Sequence, residues 1–289
     1  MGDGSINGLE KNLKNFYIHN PIATLDSKRS LFQLQVVKVI IVRFAVLSDI
    51  HANIEAFQAV VNDLENQADK ILNLGDIVGY NASPNECIKL ARDIEMHSIL
   101  GNHDQAVCNF AFAENFNIFA RNAILWTRKN LTHENIQFLN DLEKNHRLSS
   151  AIACHGSPDD PHSYISLPFQ ARATLKKMKK GSWGKINVCL FGHTHKRKVW
   201  RMDVRGKVAP VEIPLNGMVR LNEDEFYLLN PGSVGQPRNG DPRSSYLIFD
   251  TETNTVSFKL VKYNVASTIK KITEAHLPEF LAKRLLDGT

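Results

Sequence analysis

Residues 98–104 read Ser98-Ile99-Leu100-Gly101-Asn102-His103-Asp104. An apolar run stops at a glycine, and an amide, an imidazole and a carboxylate follow in consecutive positions. Alone, such a tetrapeptide is equally well an ordinary turn, because Asn and Asp make turns through hydrogen bonds to their own backbone. The same kind of ending recurs. Asp49-Ile50-His51, Gly75-Asp76, His155-Gly156 and Gly192-His193-Thr194-His195 each close an apolar run as well. Five such endings in one chain call for a common cause.

The apolar runs alternate with helical ones. A strand is expected at 43–48, then a helix over 53–67 with Ile54, Phe57, Val60, Val61 and Leu64 on one face. A strand at 70–74 precedes a helix over 84–94, which opens with a cap and a first-position proline, Ser83-Pro84. A strand at 97–100 then leads into the tetrapeptide. Strand–helix–strand alternation predicts parallel pairing with right-handed crossovers. Residues 105–142 read as helices, one over 118–129 and another over 132–142.

The second half changes character. A short strand at 151–154 ends in His155, and a loop at 156–167 leads to a basic helix at 169–179. A strand at 186–191 ends in Gly192-His193. Strand segments follow at 197–203, 207–213, 225–229, 244–250 and 255–262, with a hairpin turn at 203–206. A helical tail over 267–286 closes the chain. The expectation is an α/β domain over 42–289 whose parallel half precedes a mostly antiparallel one. Residues 1–41 are polar, lack periodicity and carry no signal-peptide arrangement, so they read as an accessory tail.

In an open α/β sheet the C-terminal ends of parallel strands converge on the ligand crevice. Asp49, Asp76, Asn102, His155 and His193 would each reach that rim from a different strand. Mixed carboxylate, amide and imidazole donors suit Mn, Fe, Zn or Co better than Ca or Mg. The glycines before Asp76, Asn102 and His193 let the backbone pass close to such ions.

Bulk properties narrow the remaining classes. A chain of 289 residues is long enough to bury a full core. No apolar run approaches the roughly 20 residues of a membrane span. The formal charge of +5 is scattered over small lysine and arginine clusters, which argues against specific nucleic-acid binding. Cys87, Cys108, Cys154 and Cys189 have no C-x-x-C pairing and read as reduced residues of a cytoplasmic protein. His97, His133, His146 and His162 stand apart from the strand ends and read as surface or packing residues.

The ordered series Asp49-x-His51, Gly75-Asp76, Gly101-Asn102-His103-Asp104, His155 and Gly192-His193-x-His195 resembles the motif set of the calcineurin-like metallophosphoesterases. The segments 75–80 and 230–238 resemble the bacterial single-domain subgroup. The resemblance implies a four-layer αββα sandwich with two mixed sheets. It implies two divalent metal ions, one held by Asp49, His51, Asp76 and His195, the other by Asp76, Asn102, His155 and His193. Asp76 would bridge them, each of its oxygens serving an ion. A hydroxide shared by the ions would attack phosphorus, and His103, its ring oriented by Asp104, would protonate the leaving oxygen.

The implied activity is hydrolysis of a small phosphoester, a phosphodiester foremost. The alternatives are a phosphomonoesterase or protein phosphatase, a dinucleoside-polyphosphate hydrolase, and a non-catalytic metal-binding scaffold on the same fold. The protein phosphatases of the superfamily carry an arginine that clamps phosphate where this chain has Gly79-Tyr80-Asn81. Arg238 is the candidate replacement for that charge, and Tyr80 and Asn81 are candidate substrate contacts.

Overall fold

Two six-stranded mixed sheets carry the fold, each strand alternating its side chains between an inner and an outer face. The computed structural model describes residues 42–214 and 217–289. The tail expected over 1–41 lies outside the described residues.

The first sheet takes β1 (Arg43–Leu47), β2 (Lys70–Asn73) and β3 (His97–Ser98) in parallel. The second takes β5 (Ala151–Cys154) and β6 (Val188–Phe191) in parallel, with β4 (Asn145–Arg147) antiparallel at its edge. The late strands divide between the two. β7 (Arg197–Met202), β8 (Val208–Val211) and β10 (Phe226–Pro231) complete the second sheet, whereas β9 (Met218–Arg220), β11 (Ser244–Asp250) and β12 (Thr255–Val261) complete the first. The late strands pair mostly antiparallel, as expected, and the exception is β10, which runs parallel to β6. The turn at 203–206 does join an antiparallel pair, β7 and β8.

Alternation along the strands sorts the core into layers. Val46, Ala153, Val188, Leu190 and Leu247 face inward between the sheets. The neighbouring Ala45 and Leu47 face outward against α1 (Ile54–Asp63) and α2 (Pro84–Asp93). Ile152, Cys154, Cys189 and Phe191 face α6 (Pro168–Lys179). The result is a sandwich of helices, sheet, sheet and helices. Cys87, Cys154 and Cys189 are buried free thiols that fill it.

Between β3 and β4 lie α3 (Asn102–Cys108), a short 3-10 turn at 110–113, α4 (Ile118–Asn130) and α5 (His133–Asn140). The expected single helical tail is two helices, α7 (Val265–Glu274) and α8 (Glu279–Asp287). Pro278 between them lacks an N–H and disfavours a helical residue before it. No helix among the described residues is long and apolar enough to cross a membrane.

Candidate metal centre

Every one of the five strand-end motifs reaches the same rim. Asp49 and His51 follow β1, Asp76 follows β2, Asn102 opens α3 after β3, His155 follows β5, and His193 and His195 follow β6. All seven are buried, and five of them (Asp49, His51, Asp76, His193 and His195) sit at positive φ, between 49° and 65°. L-residues avoid that region at an energy of order 1–3 kcal/mol each unless the surroundings impose it. The imposing contacts are visible. Asp49 N–H donates to the Gly75 carbonyl at 3.0 Å and His51 N–H to the Asp76 carbonyl at 2.9 Å, which stitches the two loops together.

The side chains form two groups of possible ligands: Asp49, His51 and His195, and Asp76, His155 and His193. Within the first, Asp49 Oδ1 lies 3.3 Å from His195 Nε2, and the Nε2 atoms of His51 and His195 are 3.1 Å apart. Within the second, His155 Nε2 is 3.3 Å from Asp76 Oδ2, 2.9 Å from Asn102 Oδ1 and 3.1 Å from His193 Nδ1. Asp76 Oδ2 also lies 3.5 Å from His51 Nε2, so one oxygen faces both groups. The other, Oδ1, accepts the His103 backbone N–H at 2.8 Å. Of the two Asp76 oxygens, Oδ2 is thus the one that faces both groups of candidate ligands.

The chemistry of this donor set fits cations. His51, His155 and His195 each place Nδ1 against a backbone carbonyl, of Val78, Leu74 and Gln236 respectively. A carbonyl only accepts, so each Nδ1 carries a proton and each ring turns its Nε2 inward, with a lone pair on His51 and His195, whose charged forms burial disfavours. Lone pairs of His51 and His195 thus face one another, and Asp49 Oδ1, Asp76 Oδ2 and His193 Nε2 are buried without a hydrogen-bond partner. Such an acceptor-rich cavity calls for positive charge at its centre. The protonation equilibria respond accordingly. Burial pushes Asp49 up to about 7 and pushes His51, His193 and His195 well below the usual imidazole value. For His155 burial also disfavours the charged ring, but Asp76 and Asp49 outweigh it and hold the pKa up at about 9.

The residues that match across this geometry also match a family. Residues 42–254 fit the calcineurin-like phosphoesterase superfamily domain. The chain belongs to that superfamily. This calcineurin-like phosphoesterase is 38% identical over 249 residues to an uncharacterised protein of Methanocaldococcus jannaschii, across 84% of this chain and 97% of the relative. Its fold is similar to a metallophosphoesterase from Sphaerobacter thermophilus, at a TM-score of 0.75 and 36% identity, covering 86% of this chain and all of the other (100%). It is also similar to a hypothetical protein of Pyrococcus horikoshii, at a TM-score of 0.69 and 20% identity over 86% and 98% of the two chains.

His103 stands beside the candidate metal ligands, its ring centroid 4.8 Å from that of His51, 4.4 Å from Tyr80 and 4.9 Å from Phe116. Burial pushes its pKa down to about 4, against the pull of Asp76. Asp104 does not steer this ring: His103 Nδ1 has no partner, and both Asp104 oxygens are taken up elsewhere. Oδ2 accepts the N–H groups of Asp76 at 2.8 Å, Gly101 at 3.1 Å and Ile77 at 3.3 Å, and Oδ1 accepts that of Val78 at 3.1 Å. The reason is helical geometry, since consecutive residues of α3 point about 100° apart and do not face each other. Asp104 clamps the turn that presents Asp76.

Asn81 is fully buried, and its Nδ2 donates to the His51 carbonyl at 2.7 Å, which supports the loop that presents His51. Tyr80 does line the centre, its ring 4.6 Å from that of His51, and Arg238 Nη2 lies 3.5 Å from the Tyr80 hydroxyl. The glycines keep loops close to one another more than to an ion. A Cβ at Gly101 would stand 2.0 Å from Asp76 Oδ1, and one at Gly192 would stand 1.9 Å from Ser48 Oγ.

Supporting residues outside the motifs were not legible individually. Ser48 Oγ donates to Asp49 Oδ2 at 2.6 Å, Asn230 Nδ2 to the Gly192 carbonyl at 2.7 Å, and Ser233 Oγ to the Asp49 carbonyl at 2.8 Å. The signal for the last two was the segment 230–238, noted only as a resemblance. Of the isolated histidines, His97 and His146 both contact Glu143 at the surface, and His162 Nε2 lies 2.9 Å from Gln105 Oε1.

Proposed function

We propose that this chain is a metal-dependent phosphodiesterase acting on small esters, with His103 as proton donor to the leaving oxygen. The observation that carries the reading is the pair of His/Asp groups sharing Asp76 Oδ2, with the His103 ring beside them. Asp49, His51, Asp76 and His195 would hold one divalent ion, and Asp76, Asn102, His155 and His193 the other. Bound there, two such cations would neutralise charge on the phosphoryl oxygens and acidify an attacking water. The imidazole-rich set favours Mn, Fe, Zn or Co.

The protein's own groups supply the rest. Burial leaves His103 neutral at pH 7 in the free protein, and an anionic ester against the ring raises its pKa toward the working range. Tyr80 walls the cavity beside His103, and Arg238 adds a cation on the Tyr80 side. Tyr80 and Asn81 stand where the superfamily's protein phosphatases carry their arginine, which supports a diester over a phosphoprotein. The four free cysteines support a reducing, cytoplasmic setting.

A panel of mono- and diesters on metal-stripped protein, reloaded separately with Mn, Fe, Zn, Co and Mg, tests the reading. Bis(4-nitrophenyl) phosphate should turn over faster than 4-nitrophenyl phosphate. The reverse order would favour a monoesterase. Two tightly bound metals with no turnover of any ester would favour a non-catalytic scaffold.

A further inference from the structure

The C-terminal helix contributes a charge that the phosphoesterase reading leaves unused. Leu281 and Leu285 of α8 pack in one apolar cluster with Tyr80, the residue that walls the metal centre. The helix ends on Gly288, at φ 66°, where an added Cβ would stand 2.3 Å from the Asp241 carbonyl oxygen. Gly240 N–H donates to the Gly288 carbonyl at 2.8 Å. The end of α8 is thus pinned to the loop that also carries Arg238, and Arg238 in turn donates its backbone N–H to the His195 carbonyl at 3.2 Å.

This docking sets half-buried Arg284 near Arg238. Burial and the Arg238 charge push the Arg284 guanidinium down to about 10, while Tyr80 and Tyr164 act in the opposite direction. Tyr164 belongs to the same rim, its ring 4.0 Å from that of His193. The helix dipole favours a cation in the last turn of α8 but does not explain a second arginine beside it. Arg43, Arg92, Arg201 and Arg243 each have a carboxylate partner. Among the described residues neither Arg238 nor Arg284 forms an ion pair with a side-chain carboxylate. Arg238 uses Gln236 Oε1 at 2.8 Å and the Tyr80 hydroxyl, and its buried Nε has no partner. Arg284 Nε donates to the Thr289 carbonyl and its Cζ lies 5.2 Å from the Phe280 ring centroid, which leaves its two Nη groups as donors. Two neighbouring guanidiniums with donors to spare, next to the Tyr80 ring that packs against His51, can together receive an anion.

We propose that Arg284 and Arg238 form a second anion subsite, which takes a phosphate or carboxylate carried by the ester at a short distance from the phosphorus being attacked. The proposal rests on the phosphoesterase reading and narrows it to esters with a second negative group. Tyr80 lies between this subsite and His103, so the two anionic groups of one ligand would straddle its ring.

Titration calorimetry on the metal-loaded full chain tests it with two ligands that share a phosphoryl group, ethyl phosphate and 2-phosphoglycolate. Wild type should bind phosphoglycolate at least about tenfold more tightly, the size of one charge-assisted hydrogen bond. Arg284→Ala should bring the ratio near one by weakening phosphoglycolate alone, and Arg284→Lys should restore part of it. A ratio near one in wild type, or a ratio that survives Arg284→Ala, overturns the subsite. Equal weakening of both ligands would mean that Arg284 grips the attacked phosphoryl group itself, which also overturns it. If wild type takes up no divalent metal and binds neither ligand, the phosphoesterase reading falls and the subsite with it. Failure of the subsite alone leaves metal uptake and ethyl phosphate binding intact.

Discussion

Replacing Asp104 by Asn separates two roles for the residue that follows the candidate acid. The carboxylate is fully buried and accepts four backbone N–H groups, three on Oδ2 and one on Oδ1. An Asn amide keeps only one oxygen. Set in the Oδ2 position, it retains three bonds but turns them from charge-assisted to neutral, a loss of about 1 kcal/mol each. Its NH2 then faces the Val78 N–H, and a buried unpaired donor costs about 1–3 kcal/mol. Relief of a buried charge, whose strain shows in an Asp104 pKa raised to about 7 by burial and by Asp76, offsets part of this. The net destabilisation is roughly 2–4 kcal/mol. Urea unfolding of metal-stripped protein measures it without the stabilisation that bound metal adds. Elemental analysis should also show reduced metal, because the clamped turn presents Asp76. Unchanged urea midpoint and full metal content, with turnover lost a hundredfold, would refute the clamp and restore Asp104 as a partner of the His103 ring.

Three further outcomes follow from the same geometry. His103→Ala should keep both metals and lose about a hundred- to ten-thousandfold in kcat on an aryl phosphodiester, and full activity would remove the acid role. Metal uptake by stripped protein should tighten as pH rises from 6 toward 9. His155, whose folded pKa is raised to about 9, is charged across that window and must release its proton to bind a cation, so calorimetry in buffers of different ionisation enthalpy should register proton release. Gly101→Ala should lower stability and metal content together, since its Cβ would stand 2.0 Å from Asp76 Oδ1, whereas Gly206→Ala meets nothing within 4 Å and should leave metal content unchanged.

The strand ends were legible because chemistry and pattern coincide there. Apolar runs stop and donor residues follow, and parallel strands deliver their C-terminal ends to one rim. The pairing of late strands was not legible. The place of β10 between β6 and β7 depends on contacts remote in sequence, and β4 and β9, three residues each, are too short to show a period of two. His103 and Asp104 show the limit of reading by adjacency. Consecutive residues look like partners in a string of letters, but once Asn102 opens a helix they diverge, and Asp104 finds partners 26 to 28 positions away. Arg284 was hidden for a related reason, because an amphipathic terminal helix carries no mark of the loop on which it docks.

Diffraction at the absorption edge of the bound metal, on crystals of metal-loaded protein, tests the dinuclear centre most directly. The account predicts two anomalous peaks on either side of Asp76 Oδ2, one against Asp49, His51 and His195 and the other against Asn102, His155 and His193. A single peak in fully active protein, or peaks only elsewhere, would contradict it.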